Sequence, residues 1–183
     1  MPVSRRLSLV CALLVLALCC LGFTYPKPGE GDSGRSLNAM SKDQALANAI
    51  KGKLLDKDKT QALKVRVACF DGRAFLVGRP SDLGFQSFAV NAARETKGVQ
   101  QVTAVFQEDP SSEEKDQEIA ARLRTALAAD PALESLHLEA EVLDGVAVLL
   151  GRVPNPRAGR QAEAAAKSVA GVKRVRSFLI PGK

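Results

Sequence analysis

The chain has no tryptophan, one tyrosine, seven phenylalanines and one histidine among 183 residues. A core must therefore be built from Leu, Val, Ile and Ala. Base stacking on aromatic platforms, which single-stranded nucleic-acid binding uses, finds almost nothing to work with. A lone histidine offers no His-rich metal site and no His-carboxylate relay. Of four cysteines, Cys11, Cys19 and Cys20 lie in the first 23 residues, which leaves Cys69 alone in the remainder. One thiol closes no internal disulfide, and metal or redox chemistry needs more partners. Phosphate-binding glycine loops, nucleophile motifs and metal-ligand clusters are absent, so the sequence implies neither an enzyme nor a cofactor.

What charge there is has one modest bias. Twenty-six basic residues against twenty acidic give +6. Arg5 and Arg6 account for two of these, so the rest of the chain carries an excess of four. That favours an anionic surface only mildly.

Residues 1–23 read as an export signal or membrane anchor. Arg5 and Arg6 precede an apolar run from Leu7 to Phe23, and Thr24 to Pro28 turns polar. A short basic flank before an apolar stretch is what translocation machinery recognises. No later stretch is long enough to span a bilayer, which places the rest on the periplasmic side of a cell envelope. Three outcomes stay open at its end: lipidation at Cys19 or Cys20, cleavage after Gly22, or retention as an anchor. A lipidation signal prefers a small residue before its Cys: Leu18 before Cys19 is a poor fit, and Cys19 before Cys20 is small but atypical. Residues 24–40 are rich in Gly, Pro and Ser and are expected to form a flexible linker reaching roughly 55 Å.

The strongest feature is self-similarity. Lys42-Asp43-Gln44, Asp71-Gly72, Gly78-Arg79 and Gly98-Val99 recur, without a gap, as Lys115-Asp116-Gln117, Asp144-Gly145, Gly151-Arg152 and Gly171-Val172. Four anchors at one offset are a duplication. Each copy opens with a helix whose stripe is Leu46, Ile50, Leu54 or Ile119, Leu123, Leu127. Ser41 with Gln44, and Ser111 with Glu114, fit capping boxes before it. Alternation over Leu63, Val65, Val67, Cys69 and over Leu136, Leu138, Ala140, Val142 predicts a half-buried strand. Asp-Gly supplies a tight hairpin turn, and the strand returns over Ala74–Val77 or Val146–Leu150. An Ala-rich second helix follows, ended by Gly98 or Gly171 as a left-handed cap. A last strand runs from Val99 to Phe106 or from Val172 to Ile180. The reading is α+β: two tandem αββαβ two-layer modules, over 41–109 and 112–181, forming a compact pair.

This repeat resembles the BON domain, named for bacterial OsmY and nodulation proteins. The second copy carries the likeness in Leu136 to Val142, Asp144-Gly145, Val146 to Gly151, Ala162 to Ala166 and Gly171-Val172-Lys173-Arg174-Val175. The first keeps Asp71-Gly72, Gly78 and Gly98-Val99-Gln100-Gln101-Val102, and departs at Arg73 and Pro80, which suggests a shorter edge strand. The resemblance implies a non-enzymatic envelope protein that supports membrane integrity or osmotic-stress tolerance by binding anionic phospholipid. An adaptor docking another envelope protein is the alternative. Neither nucleic acid, metal nor cofactor is implied.

The residues offer one candidate surface for lipid. Arg152, Arg157, Arg160 and Lys167 cluster around the second helix of copy two, with Arg122, Arg124, Lys173, Arg174 and Arg176 on neighbouring elements. Near an anionic membrane each such charge contributes about 1 kcal/mol. A solvated face balanced by Glu139, Glu141 and Glu163 is the plainer account of the same residues. His137 has outward parity and is expected to be exposed. Cys69 has inward parity and is expected in the core, and Asp71 and Asp144 are expected as turn formers.

Overall fold

The computed structural model describes residues 33–107 and 113–182. The export segment with Cys19 and Cys20, and Ser111 of the second capping box, lie outside them. Both repeats fall in one compact unit that begins at Leu37.

The first copy comprises α1 (Ser33–Lys57), α2 (Lys59–Leu63), β1 (Val65–Phe70), β2 (Arg73–Gly78), α3 (Leu83–Arg94) and β3 (Gln101–Phe106). The second comprises α4 (Glu113–Ala128), α5 (Pro131–Glu134), β4 (Leu138–Leu143), β5 (Val146–Val153), α6 (Pro156–Lys167) and β6 (Arg174–Pro181). Each sheet has three strands with the returning strand in the middle, ordered β1-β2-β3 and β4-β5-β6. The hairpin pair is antiparallel and the crossover pair parallel in both copies. Two short helices, α2 and α5, join the expected elements. Their starts are legible in Asp58, which accepts from the Gln61 N–H at 3.0 Å, and in Asp130-Pro131, where Asp130 accepts from the Ala132 N–H at 2.9 Å. An Asp cap before a first-turn proline is a helix-start signal.

Several boundaries differ from expectation. The first helix begins at Ser33, so residues 33–40 are helical and not linker, and Ser41 is interior and not a cap. From Arg35 to Lys51 nothing breaks a helix, and Ala, Leu, Lys and Gln favour one. Leu63 ends α2 and is exposed, since the strand begins only at Val65. In copy one the central strand β2 and the edge strand β3 each have six residues, against eight in β5 and β6. Gly98 and Gly171 do take positive φ, at 103° and 96°. They sit three residues beyond the helix caps Glu95 and Ser168, in the turn that leads to the last strand.

The hairpins explain two repeat anchors at once. Asp71 and Asp144 have φ of 51°, and Gly72 and Gly145 have 72°, the paired positive angles of a type I′ turn. Such a turn directs its two N–H groups outward. In copy one they donate to the Asp43 carboxylate, from Asp71 at 2.9 Å and Gly72 at 3.2 Å. In copy two Asp144 and Gly145 donate to Asp116 at 2.6 and 2.8 Å. Asp43 and Asp116 thus pin the first helix of each copy to its own hairpin. At the other end of the turnback, Gly78 is required by contact: a Cβ there would stand 2.0 Å from the Lys64 carbonyl oxygen.

Helices cover one face of each sheet. Ile50, Leu54, Leu76, Phe85 and Ala89 form the core of copy one, and Leu123, Leu127, Leu149, Ala162 and Ala166 that of copy two. A third cluster joins the opposite faces: Ala68, Phe75, Val77 and Val105 with Leu143, Val148 and Leu150, flanked by Phe70 and Phe178. The two sheets therefore pack face to face, with helices outside, as four layers. The Phe75 and Phe178 rings lie 5.6 Å apart; such a tilted pair adds about 0.5–1.5 kcal/mol beyond its buried area.

Ion pairs rim this contact, and each crosses between copies. Arg66 meets Glu139 at 2.7 Å and Glu141 at 3.3 Å. Its guanidinium is held above the usual range chiefly by the hydrogen bond to Glu139, against the opposing effect of burial. Arg79 bonds Asp116, both almost wholly buried. Arg152, the repeat partner of Arg79, reaches back to Asp71 at 2.8 Å. Among the described residues Arg79 Nη1 is buried without a hydrogen-bond partner, so that pair is costly to desolvate.

Two outcomes follow. Asp116→Ala, which strands a buried guanidinium and two turn N–H groups, lowers unfolding stability by about 3–5 kcal/mol in urea titration. Asp43→Ala lowers it by about 1–2 kcal/mol, and Arg79→Met, which leaves the buried Asp116 carboxylate without its cation, lowers it by about 3–5 kcal/mol. Equal losses at positions 43 and 116 would contradict this account. The second outcome concerns Cys69, buried as expected. Burial pushes its thiol up to about 12, helped by the Asp43 carboxylate. An unfolded thiol titrates near 8.5, so this contribution is whole below about pH 8.5 and is lost as pH rises toward 12. Cys69→Val, which copies Val142, should flatten the alkaline fall in urea midpoint between pH 8 and about pH 11.

Candidate functional site

α6 starts where Asn155 accepts from the Ala158 N–H at 3.0 Å, with Pro156 in the first turn. Its inner face is Ala158, Gly159, Ala162 and Ala166, all buried, and these small residues let the helix lie close on β5 and β6. Its outer ridge is Arg157, Arg160, Ala164 and Lys167, all exposed. Spacings of three, four and three place them in one line about 15 Å long. Among the described residues none of the three cations makes an ion pair.

The fourth candidate does not join them. Arg152 lies on β5 and is held by Asp71 across the inter-module contact. Glu139 and Glu141 do not balance the ridge either, since both face Arg66. Glu163, half-buried on the same helix, flanks it, and Asp130 bonds Gln161 of that helix at 2.7 Å. Of the secondary cations, Arg122 approaches Glu118 at 3.9 Å, Lys173 bonds Asp144 at 3.1 Å, and Arg176 stacks over the Phe178 ring at 5.4 Å.

One end of the ridge runs against helix electrostatics, while Lys167 in the last turn suits them. The first turn of α6 has no acidic residue, and Arg157 sits there instead, at the positive end of the helix dipole. A cation at that position costs about 0.3–1 kcal/mol. Stability does not explain it. The repeat supplies a comparison: the positions of Arg157, Arg160, Ala164 and Lys167 are held in α3 by Gly84, Ser87, Asn91 and Arg94. The basic ridge belongs to copy two alone.

A groove of about 970 Å³ runs between the modules, lined by Lys51, Arg66, Arg79 and Arg124 and by Glu113 and Glu141. Its volume suits a small molecule, but such sites are usually apolar, and here most charges are already engaged. Lys51 donates to the Ala62 and Val65 carbonyls at 2.6 Å each. Burial, then the nearby Arg66 charge, holds its ammonium below the usual lysine range. The groove is a polar seam between the copies.

His137 is exposed as expected, but it lies just before β4 and not on the strand. Among the described residues no group of His, Cys, Asp or Glu is placed to hold a metal, and no helix is long and apolar enough to cross a membrane. Sequence reasoning missed Asp43 and Asp116. Their signal was their place in the repeat, since a polar residue kept in both copies outside any turn calls for a partner.

The model of the BON domain matches residues 42–110 and 115–180. The chain is 28% identical over 146 residues to the osmotically-inducible protein Y of Escherichia coli strain K12, covering 75% of this chain and 71% of that protein. Among solved structures it is similar to the C-terminal domain of CdsD, the structural protein of the Type III secretion system of Chlamydia trachomatis. That likeness is 12% in identity with a TM-score of 0.31, over 77% of this chain and 67% of the other. A second CdsD structure gives 14% and 0.29, over 76% and 94%. Matched twice in register by the same family model, the chain belongs to the BON domain family.

Proposed function

We propose that this is a non-catalytic envelope protein that contributes to osmotic-stress tolerance by holding anionic phospholipid against the second module. The envelope and stress parts of the reading draw on the likeness to an osmotically-inducible protein and on the basic-then-apolar pattern of residues 1–23. The lipid part is carried by one observation: Arg157, Arg160 and Lys167 form an exposed ridge without ion pairs among the described residues, and the helix dipole disfavours Arg157 at its start. A line of cations about 15 Å long matches a flat field of phosphate head groups better than it matches a point ligand. Alanines below it let the helix present that line from a rigid base.

The test compares co-sedimentation of the full chain with phosphatidylglycerol-containing and with phosphatidylcholine vesicles. The triple variant R157Q/R160Q/K167Q shares residues 1–23 with the wild type, so the difference between them reports the ridge alone. At low salt the wild type should prefer anionic vesicles by roughly 100-fold over the variant, about 3 kcal/mol for three charges. The preference should shrink as the Debye length falls below about 10 Å. Arg157→Glu should weaken vesicle binding while leaving the melting temperature unchanged or raised, because it suits the helix dipole. Equal sedimentation of wild type and triple variant with anionic vesicles would falsify the lipid reading.

A further inference from the structure

A three-stranded sheet has two open edges, and an open edge is a template for another strand unless something blunts it. Here the edges are β1, β3, β4 and β6. β1 carries Arg66, and its Val65 carbonyl is taken by Lys51. β4 carries Glu139 and Glu141, and β6 carries Arg174 and Arg176. β3 reads Gln101-Val102-Thr103-Ala104-Val105-Phe106, with no charge, no proline and no glycine. Its β-branched and aromatic content favours extended pairing. Among the described residues no strand pairs with its outer side.

Duplication makes the difference specific. Gln101 and Thr103 occupy the places of Arg174 and Arg176, and the charges that guard the edge of copy two are missing from copy one. Antiparallel pairing of a strand with its own copy sets residues of equal parity opposite each other. For β3 this places Thr103 against Thr103, Val102 against Ala104 and Gln101 against Val105, with no like charges meeting. The same pairing of β6 would bring Arg176 against Arg176 and Arg174 against Phe178, and like charges directly opposite destabilise a sheet. Gln101 and Ala104 are exposed, and Val102 and Thr103 are partly so.

We infer that β3 is a self-association edge: two copies of this chain pair β3 with β3 antiparallel, joining their first-module sheets into one of six strands. The ridge on α6 takes no part, so this pairing and the lipid reading stand or fall separately. Sedimentation velocity of the full chain in a density-matched non-ionic detergent tests it. The wild type should sediment as a dimer at concentrations of about 100 µM. The Q101R/T103R variant carries the residues that the equivalent strand of copy two already accommodates, and its mass should fall two-fold at an unchanged melting temperature. A104K, on the other face of the strand, should do the same. A wild type that stays monomeric, or variants that remain dimeric, overturns the assignment.

Discussion

Everything in this structure depends on the contact between two sheet faces. A three-stranded sheet with helices on one side leaves its other side bare, and a module of about 70 residues has little core to spare. Placing the bare faces together buries Phe75, Val77, Val148 and Leu150 and turns two marginal sandwiches into one four-layer body. That contact also decides which charges remain available. Arg66, Arg79 and Arg152 are drawn to acids of the opposite copy, whereas Arg157, Arg160 and Lys167 on α6 stay exposed.

The two copies are alike where folding requires it and unlike where they meet their surroundings. Asp43 and Asp116 perform the same task on identical turns. Their burial differs, because only Asp116 also receives an arginine from the other copy in a nearly dry setting. Outside the core the copies have diverged in opposite directions. Copy two is basic on its second helix and guarded on its last strand. Copy one keeps a single cation, Arg94, on the second helix and none on the last strand. A duplicated module whose halves share a core can vary its two outer surfaces independently, because neither surface residue is needed to fold the other half.

Much of the fold was legible. The helix stripes ending in Ile50-Leu54 and Leu123-Leu127 pointed inward as read, the Asp-Gly turns took the positive angles expected, and the αββαβ order held in both copies. Leu63 has the parity of a strand residue, but the Asp58 cap marks a short helix that displaces the strand's start. Ala74–Val77 and Ala147–Leu150 are unbroken apolar runs, and those central strands are buried on both faces. Unbroken runs signal burial on both faces. The candidate site was half legible: Arg157, Arg160 and Lys167 share a ridge because helical spacing puts them there. Arg152 left it because its partner, Asp71, is distant in sequence.

By itself, then, the sequence determined the duplication, the secondary structure within each copy and the turn chemistry. All three arise from interactions among residues near one another along the chain, where spacing and side-chain type suffice. Only tertiary structure decided which sheet faces meet, which arginines are consumed by the seam, and which strand edge is left open. Those outcomes rest on pairs such as Arg79 with Asp116 and Arg152 with Asp71, whose encounter is fixed by how two folded surfaces fit together.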